Sequence, residues 1–178
     1  MTVYVAMLRG VNVGGNSLKM DWLRQACEDL GFQNVRTYVQ SGNIVFSSRG
    51  GALKLAQTLK ETIDAQTRWP VTVALRSAGD LEKVVADNPF LKRKGIDVTK
   101  LHATFLAKAP VKPALDRLDA LAGTRDQYRL SGSELYLNCP INYGETKLSN
   151  GAIEKILGVG ATTRNWKTVM TLHAMAAE

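Results

Sequence analysis

The sequence predicts an α+β fold made of two small α/β-plait units. The first is ferredoxin-like, with the order βαββαβ, and the second reads βαββα followed by a C-terminal helix. Three observations predict this. Short β-rich apolar runs alternate with segments of helical period along the chain. Turn residues at Ser41-Gly42 and at Gly132 join neighbouring β-rich runs into hairpins. The order strand, helix, strand, strand, helix opens both halves.

"TVYVAMLR" at 2–9 is apolar without alternation, which fits a strand buried on both faces. A helix runs from about Met20 to Leu30, with Leu23, Ala26, Cys27 and Leu30 as its stripe, and Gly31 stops it. "VRTYVQ" at 35–40 and "NIVFSS" at 43–48 form the hairpin around Ser41-Gly42. Gly50-Gly51 opens a second helix over about 52–67, with Leu55, Leu59 and Ile63 on one face, and "VTVALR" at 71–76 completes the unit. This assigns 1–77 to the first unit and 78–100 to a short helix and a linker, whose "NPFLKRKG" is rich in breakers and charge.

The second unit, 101–178, opens on the strand "LHATFLA". A helix over 111–122 carries Leu115, Leu118 and Leu121, and 127–139 is a hairpin turning at Gly132. A helix at about 149–157 stops at Gly158, and a last helix runs from about Arg164 to Ala177. Thr162 or Thr163 would cap that last helix, and Trp166, Val169, Met170 and His173 form its core-facing stripe.

The 178 residues suffice for one large domain or two small ones. Apolar runs are far too short for a membrane span, and no secretory leader opens the chain. Cys27 and Cys139 read as a buried helix residue and a strand end, not a disulfide, which points to the reducing cytosol. The net charge of +7 is uneven: residues 1–88 hold 10 basic against 8 acidic side chains, residues 89–178 hold 13 against 8. Such a basic half suits a phosphate-bearing or nucleic-acid partner, and equally a merely soluble surface.

The stretch "LRGVNVGGNSLKM" at 8–20 joins the first strand to the first helix with residues that pack poorly. In a split βαβ unit the first two strands run parallel, so this loop and the 40–43 turn lie at one end of the sheet. Arg9, Asn12, Gly14 and Gly15 then approach Gln40, Ser41 and Asn43. A cation, amides, exposed backbone N–H groups and a helix N-terminus are the parts of an anion site. The competing reading is a tight connection whose asparagines satisfy their own backbone.

A second candidate lies in "GETKLSNG" at 144–151 and "ATTRNW" at 161–166, each ahead of a helix. Lys147, Arg164 and Asn165 would form a second basic patch, with Ser149 or Asn150 capping the first of those helices. No cofactor motif is present: neither the Walker loop nor the dinucleotide fingerprint occurs. His102 and His173 have no metal-ligand neighbours in sequence, and no nucleophile motif stands out. Lys92-Arg93-Lys94 is the one basic triplet in a loop.

"LRGVNVGG", "LGFQNVRTYVQSGNIVF", Lys147-Leu148 and "TTRNWKTV" together resemble one bacterial family, the domain-of-unknown-function family 1697. The resemblance implies two α+β subdomains, the first ferredoxin-like. It carries no catalytic residues, because no activity is established for the family. Relatives tend to read Gly-x-Gly-x-Ser-Lys-Leu where this chain has Asn142, Gly144, Thr146, Lys147 and Leu148, and Glu145 adds a negative charge. That departure counts against phosphate contact at this loop.

The functional expectation is a cytosolic protein that binds a small anionic ligand at the Arg9–Gly15 loop, without a cofactor and without a membrane. Nucleic-acid binding through the basic second half, an enzyme acting on a phosphorylated substrate, and a sheet edge that pairs with another chain are the alternatives.

Overall fold

The structure is a computed structural model that describes residues 1–122 and 125–178; the side chains of Lys112, Pro113 and Leu115 also lie outside the described set. Strand β1 (Thr2–Arg9) is central to the first sheet. It pairs antiparallel with β3 (Asn43–Ser48) on one side and with β4 (Thr72–Ser77) on the other. Strand β2 (Gln33–Tyr38) lies outside β3, giving the order β2-β3-β1-β4. Tyr4, Ala6 and Leu8 face the core beneath helices α1 (Met20–Asp29) and α2 (Ala52–Gln66), while Val5 and Met7, on the other face, are fully buried too. Burial on both faces is why this run shows no polar alternation.

Leu23 and Cys27 of α1 meet Leu55, Leu59 and Ile63 of α2 in that core, and Phe32 stacks on Phe46 at 4.3 Å. Each large apolar side chain so buried contributes about 1.5–3 kcal/mol. Helix α1 ends in a Schellman arrangement: Gly31 N–H donates to Glu28 O and Phe32 N–H to Cys27 O, at 2.9 and 3.1 Å. The same turn that stops the helix therefore delivers Phe32 to the core.

The hairpin is one feature the sequence places slightly wrong. Strand β2 stops at Tyr38, and Val39–Gly42 form a four-residue turn. Asn43 is the reason: its Nδ2 donates to Tyr38 O and to Ser41 Oγ, which closes the turn on itself.

Helix α3 (Ala78–Ala86) leads to two 3-10 turns, Pro89–Lys92 and Val98–Lys100. Phe90 is fully buried and Asn88 caps the first turn, so this expected linker is anchored structure. The second sheet contains β5 (Leu101–Leu106), β6 (Gln127–Ser131), β7 (Glu134–Asn138) and β8 (Ala161–Asn165), in the order β6-β7-β5-β8. Helices α4 (Lys112–Ala122) and α5 (Asn150–Leu157) cover it. Leu118 is buried in that core and Leu121 packs against it.

The second unit thus has the same βαββαβ order as the first, ahead of α6 (Trp166–Ala177). Strand β8 corrects the expectation that a helix replaces the last strand. Thr162, Thr163 and Arg164 pair with Phe105, Thr104 and Ala103 of β5. Thr163 Oγ1 also meets Thr104 Oγ1 at 2.8 Å and donates to Asn150 Oδ1 at 2.9 Å. The helix begins two residues later than expected, because Asn165 Oδ1 accepts from Thr168 N–H and is its cap. Its buried face is Trp166, Val169, Leu172 and Ala176, and Met170 of the expected stripe is exposed.

By contacts the chain divides into Met1–Lys83 with Thr171–Glu178, and Val84–Met170. These limits differ from the sequence boundaries for local reasons. Tyr136 Oη donates to Val84 O within the second unit, and Arg36 of the first pairs with Glu178 and donates to Met175 O. Among the described residues no helix is long and apolar enough to cross a membrane.

Three carboxyl groups tie local structure together. At Asp64 burial pushes the pKa up, but the Lys60 ammonium and the Val71 N–H outweigh it and hold the group below the usual range. The Ser77 hydroxyl does the same for Asp80, and the Thr99 hydroxyl for Asp97. A depressed native pKa contributes stability above the unfolded value of about 4 and loses it as pH falls through the native one. The urea midpoint is therefore expected to fall steadily below about pH 4, and Asp64→Asn should flatten that slope. A midpoint independent of pH over that range would contradict it.

Candidate functional site

Strands β1 and β2 both run antiparallel to β3, so their C-terminal ends lie together. The loop after β1 and the 39–42 turn meet there. Leu8 N–H donates to Gly42 O at 2.8 Å. Gly42 has φ +74°, and a Cβ on it would stand 2.5 Å from Val11 Cγ2 and 2.9 Å from Leu8 Cβ. Only a residue without a side chain fits.

The asparagines of the loop serve its own backbone. Asn12 Nδ2 donates to Gln40 O at 2.6 Å and to Leu18 O at 3.0 Å, and its Oδ1 accepts from Leu18 N–H at 2.8 Å. Asn16 Nδ2 donates to Gly10 O at 3.0 Å. Asn12 has φ +53°, a region that asparagine enters more readily than most residues. Asn12 and the fully buried Asn43 thus hold the two segments in place.

Other groups remain at the surface. Gly14 and Gly15 are exposed, with φ +58° and +87° and nothing near either Cβ position. Gln40 and Ser41 are exposed, and Arg9 is half-buried at the end of β1, opposite Thr72. Val39 is exposed with φ +50°, a strained conformation for a β-branched residue.

Beside the loop, Lys19 takes the N-cap position of α1 in extended conformation and supplies no side-chain cap. The first-turn N–H groups therefore have no side-chain acceptor from the cap. A cleft of about 470 Å³ opens here, lined among others by Lys19 and Trp22 from the start of α1 and by Thr67, Arg68 and Trp69 from the segment after α2. None of the described lining residues is acidic. Both indoles are half-buried against the first core, and Trp69 Nε1 is buried with no acceptor among the described residues. The sequence reading missed this cleft. The available signal was "TRWP" at 67–70, a tryptophan set between a cation and a proline outside any element.

Lys147, Arg164 and Asn165 belong to the second unit, Lys147 to the loop ahead of α5 and the other two to the end of β8. Lys147 is exposed in the loop ahead of α5. That loop satisfies itself: Asn142 Nδ2 donates to Glu145 Oε1, Asn142 Oδ1 accepts from Glu145 N–H, and Thr146 Oγ1 donates to buried Asp126. Ser149 caps α5. Arg164 is on β8, its Nη1 bonded to Thr162 Oγ1 and Thr163 O, and burial lowers its pKa to about 10, so it stays charged at neutral pH. Asn165 caps α6. In the basic triplet, Arg93 lies over the Phe90 ring at 4.7 Å and donates to Gln127.

The groups of the first cluster are amides, hydroxyls, backbone N–H, an ammonium, guanidinium groups and indoles, none of which is a general base at neutral pH. Both cysteines are free and buried, and burial pushes the Cys27 thiol up to about 12, far from a reactive thiolate. His102 stacks on Tyr143 at 4.6 Å, and its pKa is lowered by burial. Among the described residues no group of three or more His, Cys, Asp or Glu could hold a metal ion.

A family model described as "Protein of unknown function (DUF1697)" matches residues 1–136, and the chain belongs to that family. No curated protein matches it. The fold is similar to that of SP0830, a conserved bacterial protein from Streptococcus pneumoniae, with a TM-score of 0.80 at 24% identity, over 100% of this chain and 99% of that one.

Two substitutions probe the frame of the cluster. Gly42→Ala forces a Cβ into Val11 and Leu8 at a left-handed φ and should cost about 2–4 kcal/mol. Asn12→Ala leaves Leu18 N–H and two carbonyls short of a partner and should cost about 1–3 kcal/mol. Urea denaturation reads both, and a change below about 0.5 kcal/mol in either would show that the loop and the turn are not braced this way.

Proposed function

We propose that this member of the DUF1697 family binds a small phosphate-bearing or otherwise anionic ligand at the Arg9–Gly15 loop. The observation that carries the reading is the pair Gly14-Gly15, exposed on a braced loop beside a helix N-terminus whose cap contributes no side chain. Backbone N–H groups and the positive end of a helix favour an anion there. Strain at Val39, in the turn against this loop, supports a functional constraint at the same place.

In this reading Asn12 and Asn43 shape the site, and Gly14, Gly15, Gln40, Ser41 and Arg9 face the ligand. Lys19 and Arg68 add positive charge next to it. The buried free thiols suit a reducing compartment, and we assign the protein to the cytosol.

The test is a thermal-shift series with inorganic phosphate, ribose 5-phosphate and RNA oligonucleotides at low and high salt. A small phosphate compound should raise the melting temperature by several degrees, and the shift should survive high salt. Arg9→Ala should weaken that binding about tenfold, a loss of about 1.4 kcal/mol, in a chain that still unfolds cooperatively. Stabilisation by RNA alone, lost at high salt, would replace this reading with a non-specific basic surface.

A further inference from the structure

We infer that the ligand also carries a planar ring, held in the cleft between Trp22 and Trp69. The inference rests on the anion reading above and adds the part of the molecule that the glycine loop does not address. It names a class: a small molecule that joins a planar, heteroaromatic ring to a phosphate or similar anionic group.

The features of the cleft converge on this class. Two of the chain's three tryptophans line one opening at the N-terminus of α1. Both pack against the core yet keep part of the indole outside it. An indole used only as a core anchor would be enclosed, and its N–H would normally find an acceptor. Trp69 Nε1 finds none among the described residues, so the fold does not use that donor.

The charge of the lining is one-sided. Lys19 and Arg68 are both exposed there, and no described lining residue offsets them. A neutral aromatic ligand would leave the two positive charges without a counter-charge, and a bare anion would leave the two indole faces uncovered. A ring with an anionic group uses both, because indole faces stack on planar rings and cations meet the anion. The volume of about 470 Å³ falls within the about 300–1,000 Å³ of small-molecule sites. Trp69 Cδ1 would lie 3.9 Å from a Cβ on Gly10, so this wall of the cleft adjoins the start of the glycine loop.

The probes are AMP, adenosine and ribose 5-phosphate, titrated into the full chain by calorimetry and by tryptophan fluorescence. AMP should quench the fluorescence and bind at least about tenfold tighter than ribose 5-phosphate. Trp22→Ala should remove that excess and leave ribose 5-phosphate affinity unchanged, while Trp22→Phe, which keeps a ring and the packing, should retain part of it. AMP binding no tighter than ribose 5-phosphate would overturn the ring and leave the anion site standing. Adenosine binding as tightly as AMP would support the ring pocket and overturn the anion reading. No binding by any of the three would overturn both.

Discussion

The close approach of Gly42 to Leu8 and Val11, sealed by the bond from Leu8 N–H to Gly42 O, is the contact on which the rest of this region depends. It draws the hairpin turn onto the end of the central strand, where any larger residue would push it away. Asn12 then reaches across to Gln40 O and down to Leu18, so loop and turn become one braced surface. The start of α1 is set by the same asparagine, because Leu18 is the residue ahead of the Lys19 cap. One small backbone contact thereby positions the glycine pair, the helix N-terminus and the edge of the tryptophan cleft.

That bracing explains the odd composition of the first connection. Glycine and asparagine contribute little to a hydrophobic core, but a loop that crosses the end of a sheet has many backbone groups to satisfy. Asn12 and Asn16 supply those partners from within, at positions where the chain turns too sharply for ordinary ladder bonds. Gly14 and Gly15, at φ +58° and +87°, are the two central residues of the tight turn that Asn16 N–H closes on Val13 O at 3.0 Å, and both are exposed. The asparagines build the loop by bonding its backbone, and the glycines by supplying the left-handed turn at its tip.

The second unit repeats the strand order and not the chemistry. Its sheet has the same topology, yet the polar segments around Asn142–Thr146 and on β8 are occupied with themselves. Glu145 and Asn142 bond each other, Thr146 and Asp126 form a buried pair, and Arg164 is bonded along its own strand. Family membership spans residues 1–136, which includes the whole of the first unit's loop and turn. The structural likeness to the Streptococcus pneumoniae protein is at the level of fold.

Local pattern in the sequence was enough for α1 with its stop at Gly31, for the two-sided burial of β1, for the element order of the first unit and for the meeting of the 9–15 loop with the 40–43 turn. These follow from periodicity, turn chemistry and the sense of a split βαβ unit, all carried by neighbouring residues. Tertiary structure alone decided three things. Thr162–Arg164 became a strand because β5, some sixty residues earlier, offers a free edge, and a polar five-residue run has no periodicity of its own to announce it. The Asn12 and Asn43 amides went to specific carbonyls that their side-chain chemistry permits but does not select. Trp22 and Trp69 came to share a cleft because α1 and the end of α2 lie on one sheet face. Each is a partnership between residues far apart in the chain, and a single sequence encodes the capacity for such a contact without its partner.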